Sequence, residues 1–239
     1  MRRRRVLLAL LIVALAAAGV VGALGLLVKQ EPEFYAGRAG DEFSDSLVAS
    51  RVLTRFGDLM NDVRLKPEWS GSFTASELNA FLRENLQEGG WLARVLPPEL
   101  HDPRVAIDGD RVKVAGRVGD GFWSTVVSAE LRVWLVKDEI NTVAIELVRM
   151  RAGALPVELQ WFRGLDAIGE AVRDRNVDVG WYRHDGNLVG VFRLYADQPR
   201  PPTQLRTVNV ADGRVTVAGR KTGEAAAPLG TGPALPGKE

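Results

Sequence analysis

Phe122-Trp123-Ser124-Thr125-Val126-Val127-Ser128-Ala129-Glu130-Leu131-Arg132-Val133-Trp134-Leu135-Val136 alternates with a period of two. Trp123, Thr125, Val127, Ala129, Leu131, Val133 and Leu135 fall on one side of an extended chain, and Ser124, Ser128, Glu130 and Arg132 on the other. The spacing predicts a long strand whose first set faces a core and whose second is partly wet. Lys137-Asp138-Glu139-Ile140-Asn141 turns the chain into a second strand with Val143, Ile145 and Leu147 on its apolar side. Antiparallel pairing of the two brings Glu130, Arg132 and Glu146 within reach of a cross-strand ion pair, worth about 0.2 to 1 kcal/mol.

Working outward, Val105 and Ile107, the turn Asp108-Gly109-Asp110, and Val112 and Val114 read as a tight hairpin. Downstream, Val177 to Arg183 and Leu188 to Tyr195 flank His184-Asp185-Gly186-Asn187, and Gln204 to Val210 and Arg214 to Arg220 flank Asp212-Gly213. Pro199 to Pro202 forms a stiff connector. Helical spacing marks about Asp41 to Val63, where Leu47, Val48, Val52, Phe56, Leu59 and Val63 recur every three or four residues. A second helix starts at Thr74, whose hydroxyl and the Glu77 carboxylate suit a capping box, and carries Leu78, Phe81, Leu82 and Leu86 on one face. Pro156 can open a third, to about Arg175, with Leu159, Phe162, Leu165, Ile168 and Val172 as its stripe and Trp161 beside it. The expected architecture is α+β: a curved, mainly antiparallel, meandering sheet of six to eight strands with two or three helices packed on one face, all within one domain spanning 34–220. Residues 221–239 are rich in Gly, Pro and Ala without apolar periodicity and read as a disordered tail.

At the other end, Val6 to Val28 holds no charged, amide or hydroxyl side chain; as a helix its 23 residues would reach about 34 Å, enough to cross a bilayer core. Four arginines precede it in the basic tip 1–5, which predicts an N-terminal transmembrane helix with the N-terminus cytoplasmic and the bulk extracytoplasmic. A cleaved signal peptide competes, since Ala16-Ala17-Ala18 resembles a processing site, but the signal-anchor reading accounts for the whole run. Of the net charge of +1 over 239 residues, the tip supplies four positive charges, leaving −3 for the remainder and no basic surplus for nucleic acid. No cysteine is present, which excludes disulfides, thiolate metal sites and cysteine nucleophiles.

The threonine-capped stretch Thr74-Ala75-Ser76-Glu77-Leu78-Asn79, the hairpin at Asp108-Gly109-Asp110, the two long strands, the Gly153 to Pro156 junction and the closing Asp-Gly hairpin follow one another in an order that resembles the YpmS-type single-pass envelope proteins. The similarity spans most of the outer domain. More distantly the chain is similar to tubular lipid-binding domains, in which a curved sheet wraps a long helix and leaves an apolar groove. The resemblance implies a lipid-facing or partner-facing envelope role, and brings no catalytic motif.

The residues themselves offer no catalytic constellation. Ser124 lies in a strand without a Gly-x-Ser-x-Gly turn, His101 and His184 are the only histidines, and no metal-ligand cluster or cofactor motif is visible. Gly116-Arg117-Val118-Gly119-Asp120-Gly121 is glycine-dense but precedes no helix, so it lacks the geometry of a phosphate cradle. The aromatic content is more informative: it fits either an ordinary core or an apolar groove lined by Phe81, Leu82, Trp123, Leu155, Trp161, Phe162 and Leu165, able to hold an acyl chain. The expectation is a non-catalytic membrane protein that binds membrane lipid or another amphiphile. The alternative is an interaction protein docking on an envelope partner through Trp181-Tyr182-Arg183 and the proline-rich segment, with a hydrolase third.

Overall fold

The computed structural model describes residues 19–20, 22–36, 42–86, 99–157 and 176–222, and among them ten strands and four α-helices are present. The α-helices are residues 19–20 and 22–29 (α1), Glu33–Ala36 (α2), Glu42–Leu65 (α3) and Ala75–Asn85 (α4). The strands are Glu68–Thr74 (β1), Leu100–Asp108 (β2), Arg111–Val118 (β3), Thr125–Leu135 (β4), Thr142–Ala152 (β5), Leu155–Pro156 (β6), Val177–His184 (β7), Asn187–Leu194 (β8), Thr203–Ala211 (β9) and Arg214–Lys221 (β10).

Local chemistry accounts for much of this. The β2–β3, β7–β8 and β9–β10 hairpins turn on Gly109, Gly186 and Gly213, all at positive φ, the backbone region that tight hairpins demand and glycine adopts without strain. Thr74 caps α4: Glu77 N donates to Thr74 Oγ1 at 3.3 Å, and Thr74 N donates back to the Glu77 carboxylate at 2.8 Å.

The strands form two sheets. Seven belong to one, in the order β2-β3-β4-β5-β8-β7 with β6 added beside β5, and three to another, in the order β1-β10-β9, all antiparallel. The Asn141 side chain joins them: its Nδ2 donates to Thr203 O at 2.8 Å, and Leu205 N donates to its Oδ1 at 2.6 Å. Asn141 is buried and sits at φ 54°, a left-handed conformation that asparagine tolerates better than most residues.

The sequence-based architecture needs correction on three points. The sheet is not a single meander, because Glu68–Thr74, with two serines and a glycine, pairs with β10 from the far end of the chain; no local periodicity announces such a partner. The structure is mostly antiparallel sheet with few helices, and these do not form one layer: α3 and α4 pack on each other, on β1 and on the β2 edge, whereas α1 abuts Gly153 after β5. The predicted N-terminal transmembrane helix is not seen. Among the described residues no helix is both long and apolar enough to cross a membrane, since α3, the longest, carries Arg51, Arg55, Asp58, Asp62 and Arg64. Residues 1–18, which hold the basic tip and the first part of the apolar run, lie outside the described residues, as do residues 158–175 of the helix predicted from Pro156 and 223–239 of the predicted tail, whose first residue, Lys221, instead ends β10. Leu155 and Pro156 do not open a helix; Gly153, at φ 59°, reverses the chain so that both pair back onto Ala152 and Arg151.

Candidate functional site

The two faces of the large sheet differ in composition and in depth, and not in the way the β4 alternation predicts. Val126, Ser128, Glu130, Arg132 and Trp134 share one face with Ala144 and Glu146 of β5 and Val189 and Val191 of β8, as the pairs Arg132↔Glu146, Trp134↔Ala144 and Ala144↔Val191 require. This face holds the deepest burial: Trp134, Ala144, Val189 and Val191 form a core cluster with Val136, against which Tyr182 packs. Glu146 is only 3% exposed there, held by Arg132 Nη1 at 3.2 Å and Asn187 Nδ2 at 2.7 Å. The opposite face carries the apolar row, including Val112, Leu131, Val133, Ile145 and Phe192, and these side chains are only partly buried. Full burial on that face is confined to strand ends and glycines, such as Leu135, Leu188 and Gly190. Trp181 lies over Gly190 and meets Phe192 edge-on at 6.3 Å. Period two reports alternation correctly, but which face is covered depends on elements distant in sequence.

A second organised region is the neck that carries α1 onto the sheet. Ala154 N donates to Leu27 O at 2.8 Å, Thr125 Oγ1 to Val28 O at 2.7 Å, and Lys29 Nζ to Ser124 O at 2.7 Å and to Phe122 O. Gly153 lies directly under the Leu27 and Val28 carbonyls, where a Cβ would collide with backbone. Further along, Glu31 pairs with Arg117, while Tyr35 is buried with Ala115 and Val126, its ring under the Arg104 guanidinium at 4.8 Å and its hydroxyl donating to Asp102 O at 3.0 Å. Burial, with the Asp102 charge adding to it, pushes the Tyr35 phenol above its ordinary value, and the Glu31 hydrogen bond raises Arg117. Both groups therefore keep their neutral and cationic forms throughout the physiological range.

The residues predicted to line an apolar groove are distributed differently. Phe81 and Leu82 ride on α4, where Phe81 stacks at 5.8 Å on Phe56, itself 6.3 Å from Phe73. Leu155 pairs with Ala152 beyond β5, three strands away from the β2 edge that α4 covers. Trp123 closes a 3-10 turn, Gly121–Trp123, ahead of β4. Trp161, Phe162 and Leu165 lie outside the described residues. The docking triplet is split by the pleat: Tyr182 packs on the core cluster, whereas Trp181 lies on the opposite, partly buried apolar face.

Ser124 Oγ donates to Gly121 O at 2.9 Å, and the histidines face exposed aspartates, His101 with Asp120 and His184 with Asp185, each at 3.6 Å. The described residues assemble no nucleophile–base pair from these groups, and no cluster of three or more His, Asp or Glu that could hold a metal. Among the described residues two open clefts stand out: a mainly polar one of about 530 Å3 beside Trp69, Arg206 and Arg220, and one of about 400 Å3, polar and apolar in similar measure, between the neck and the charged face of the sheet. Sequence reasoning missed Tyr35, Asn141 and Gly153. Only Gly153 carried a signal, as the first residue of the Gly153 to Pro156 junction. No family model, no curated protein and no solved structure matches the chain.

Proposed function

We propose that the protein is a non-catalytic, membrane-associated extracytoplasmic domain that binds an acyl chain or similar amphiphile on the partly exposed apolar face of its seven-stranded sheet. One observation carries this reading: the apolar row through Leu131, Val133, Ile145 and Phe192 stays partly exposed while the apolar residues of the opposite face, Trp134, Ala144, Val189 and Val191, are buried. An apolar surface in that state gains on being covered, by about 5 kcal/mol for each 200 Å2 removed from water. The uncharged run Val6 to Val28 supports a bilayer as the source of the amphiphile. The resemblance to YpmS-type envelope proteins points the same way.

Native mass spectrometry of the full chain released from membranes in mild detergent tests the reading. Lipid should be retained by the wild type and lost from Leu131→Asp and Val133→Asp variants that still fold. No retained lipid, or equal retention by both variants, would overturn it.

A second reading has its own support, since Trp181 and Phe192 meet edge-on on that face and both stay partly exposed. A protein partner seated on Trp181 and Phe192 would also cover it. Loss of one specific cross-linked species in Trp181→Ala, with lipid retention unchanged, favours this second reading.

A further inference from the structure

The cavity of about 400 Å3 beside the neck has walls of opposite character. Lys113, Ser128, Glu130 and Arg151 line its sheet side, and Glu31 and Glu33 its neck side. Most of these charges are satisfied within the protein: Lys113 by Asp108 at 2.6 Å, Glu31 by Arg117 and Glu130 by Arg149 at 3.7 Å. Arg151 and Glu33 are exposed and have no ion-pair partner among the described residues. The strand register sets Arg151 directly opposite Ser128, a buried residue whose hydroxyl makes no hydrogen bond among the described residues.

The two spare charges therefore differ in sign and sit on different walls. A guanidinium beside a hydroxyl matches a phosphate. A carboxylate on the other side matches a primary ammonium, which has three hydrogen-bond donors where a quaternary ammonium has none. α1 leads into the cavity's neck wall at Gln30 and exposes Leu24 and Leu26, the latter 76% accessible, with Lys29 its one charged residue.

We propose that this cavity binds a phosphate bearing a short primary-ammonium arm, the headgroup of a phosphoethanolamine lipid whose acyl chains lie along the exposed apolar side of α1. The phosphate end meets Arg151 and Ser128, and the ammonium end meets Glu33. The site is distinct from the partly exposed apolar face, because Ser128 and Arg151 lie on the other side of the sheet; it rests on the membrane part of the reading above.

Calorimetric titration of the full chain in a non-ionic detergent tests it, with dihexanoyl-phosphatidylethanolamine, dihexanoyl-phosphatidylcholine and glycerophosphoethanolamine as probes. The ethanolamine lipid should bind at least about tenfold more tightly than the choline lipid. Arg151→Glu should weaken the ethanolamine lipid at least about tenfold, and Glu33→Gln should shrink the headgroup preference to about threefold or less, with thermal melts verifying that each variant folds. Tighter binding of the lipid than of glycerophosphoethanolamine supports a membrane source; equal binding overturns that source. Equal affinity for both lipids, no binding, or unchanged affinity in Arg151→Glu overturns the site itself. If it fails while wild-type protein still retains lipid and Leu131→Asp does not, the sheet-face reading survives alone; failure of both sets removes both.

Discussion

The Asn79 carboxamide meets the backbone of Val105 as another peptide unit would: its Nδ2 donates to Val105 O at 2.7 Å, and Val105 N donates to its Oδ1 at 2.7 Å. β2 is an edge strand, so these are groups that no neighbouring strand satisfies. Asn141 does the same for β9, the edge of the small sheet, through Thr203 and Leu205. Each sheet thus has one rim closed by an asparagine from another element.

Replacing Asn79 by alanine removes both bonds and leaves a part-buried amide without its partner, so Asn79→Ala should cost about 2 kcal/mol in urea unfolding. Asn79→Asp should be intermediate at neutral pH, because the carboxylate still accepts from Val105 N but opposes Val105 O. A change below about 0.5 kcal/mol in Asn79→Ala would contradict the clip.

At Asn141 two effects separate. Asn141→Gly keeps the left-handed backbone and loses the clip; Asn141→Ala loses the clip and adds strain of roughly 1 kcal/mol. The expected order of melting temperatures is wild type, then glycine, then alanine. Inversion of the two variants would show that backbone conformation contributes nothing there.

These two residues mark where sequence reading stops. The Asp-Gly hairpins and the Thr74 cap were legible because their chemistry lies within a few residues, and the Arg132–Glu146 pair because two adjacent strands fix it. Asn79 lay inside a recognised motif, yet only the three-dimensional position of β2 gives its amide a task. Likewise the alternation of β4 was readable while the identity of its covered face was not, since Val189 and Val191, which bury against Trp134, come from β8. The groove residues were chosen by size and neighbourhood, and the chain places Phe81 and Leu155 on elements separated by three strands.

Glu146 supplies a third test. It is buried, and losing Arg132 leaves only Asn187 to hold its charge, so Arg132→Met should destabilise by about 2 kcal/mol or more. The double variant Arg132→Met/Glu146→Leu removes the stranded charge and should recover most of the loss. Equal unfolding free energies for the single and double variants would contradict this account.

A fourth concerns pH. Burial alone would raise the Glu77 pKa, but the Thr74 amide, the Thr74 hydroxyl and the Arg55 guanidinium together outweigh it and hold the carboxyl below its usual value. The folded pKa lies below the unfolded one, so the stabilisation is complete above the ordinary glutamate pKa of about 4.3 and fades as pH falls through the depressed value. Glu77→Gln should lower stability at neutral pH and flatten its decline below about pH 4. Parallel acid-unfolding curves for variant and wild type would count against it.

In the small sheet, β1 lies against β10, and the Ser72 and Thr216 hydroxyls stand 3.1 Å apart across a sequence separation of 144 residues. During translation β1 leaves the ribosome long before its partner exists. The large sheet, built mainly from neighbouring hairpins, can assemble on the nascent chain meanwhile, and the small one closes only when the Arg214–Lys221 segment has been made.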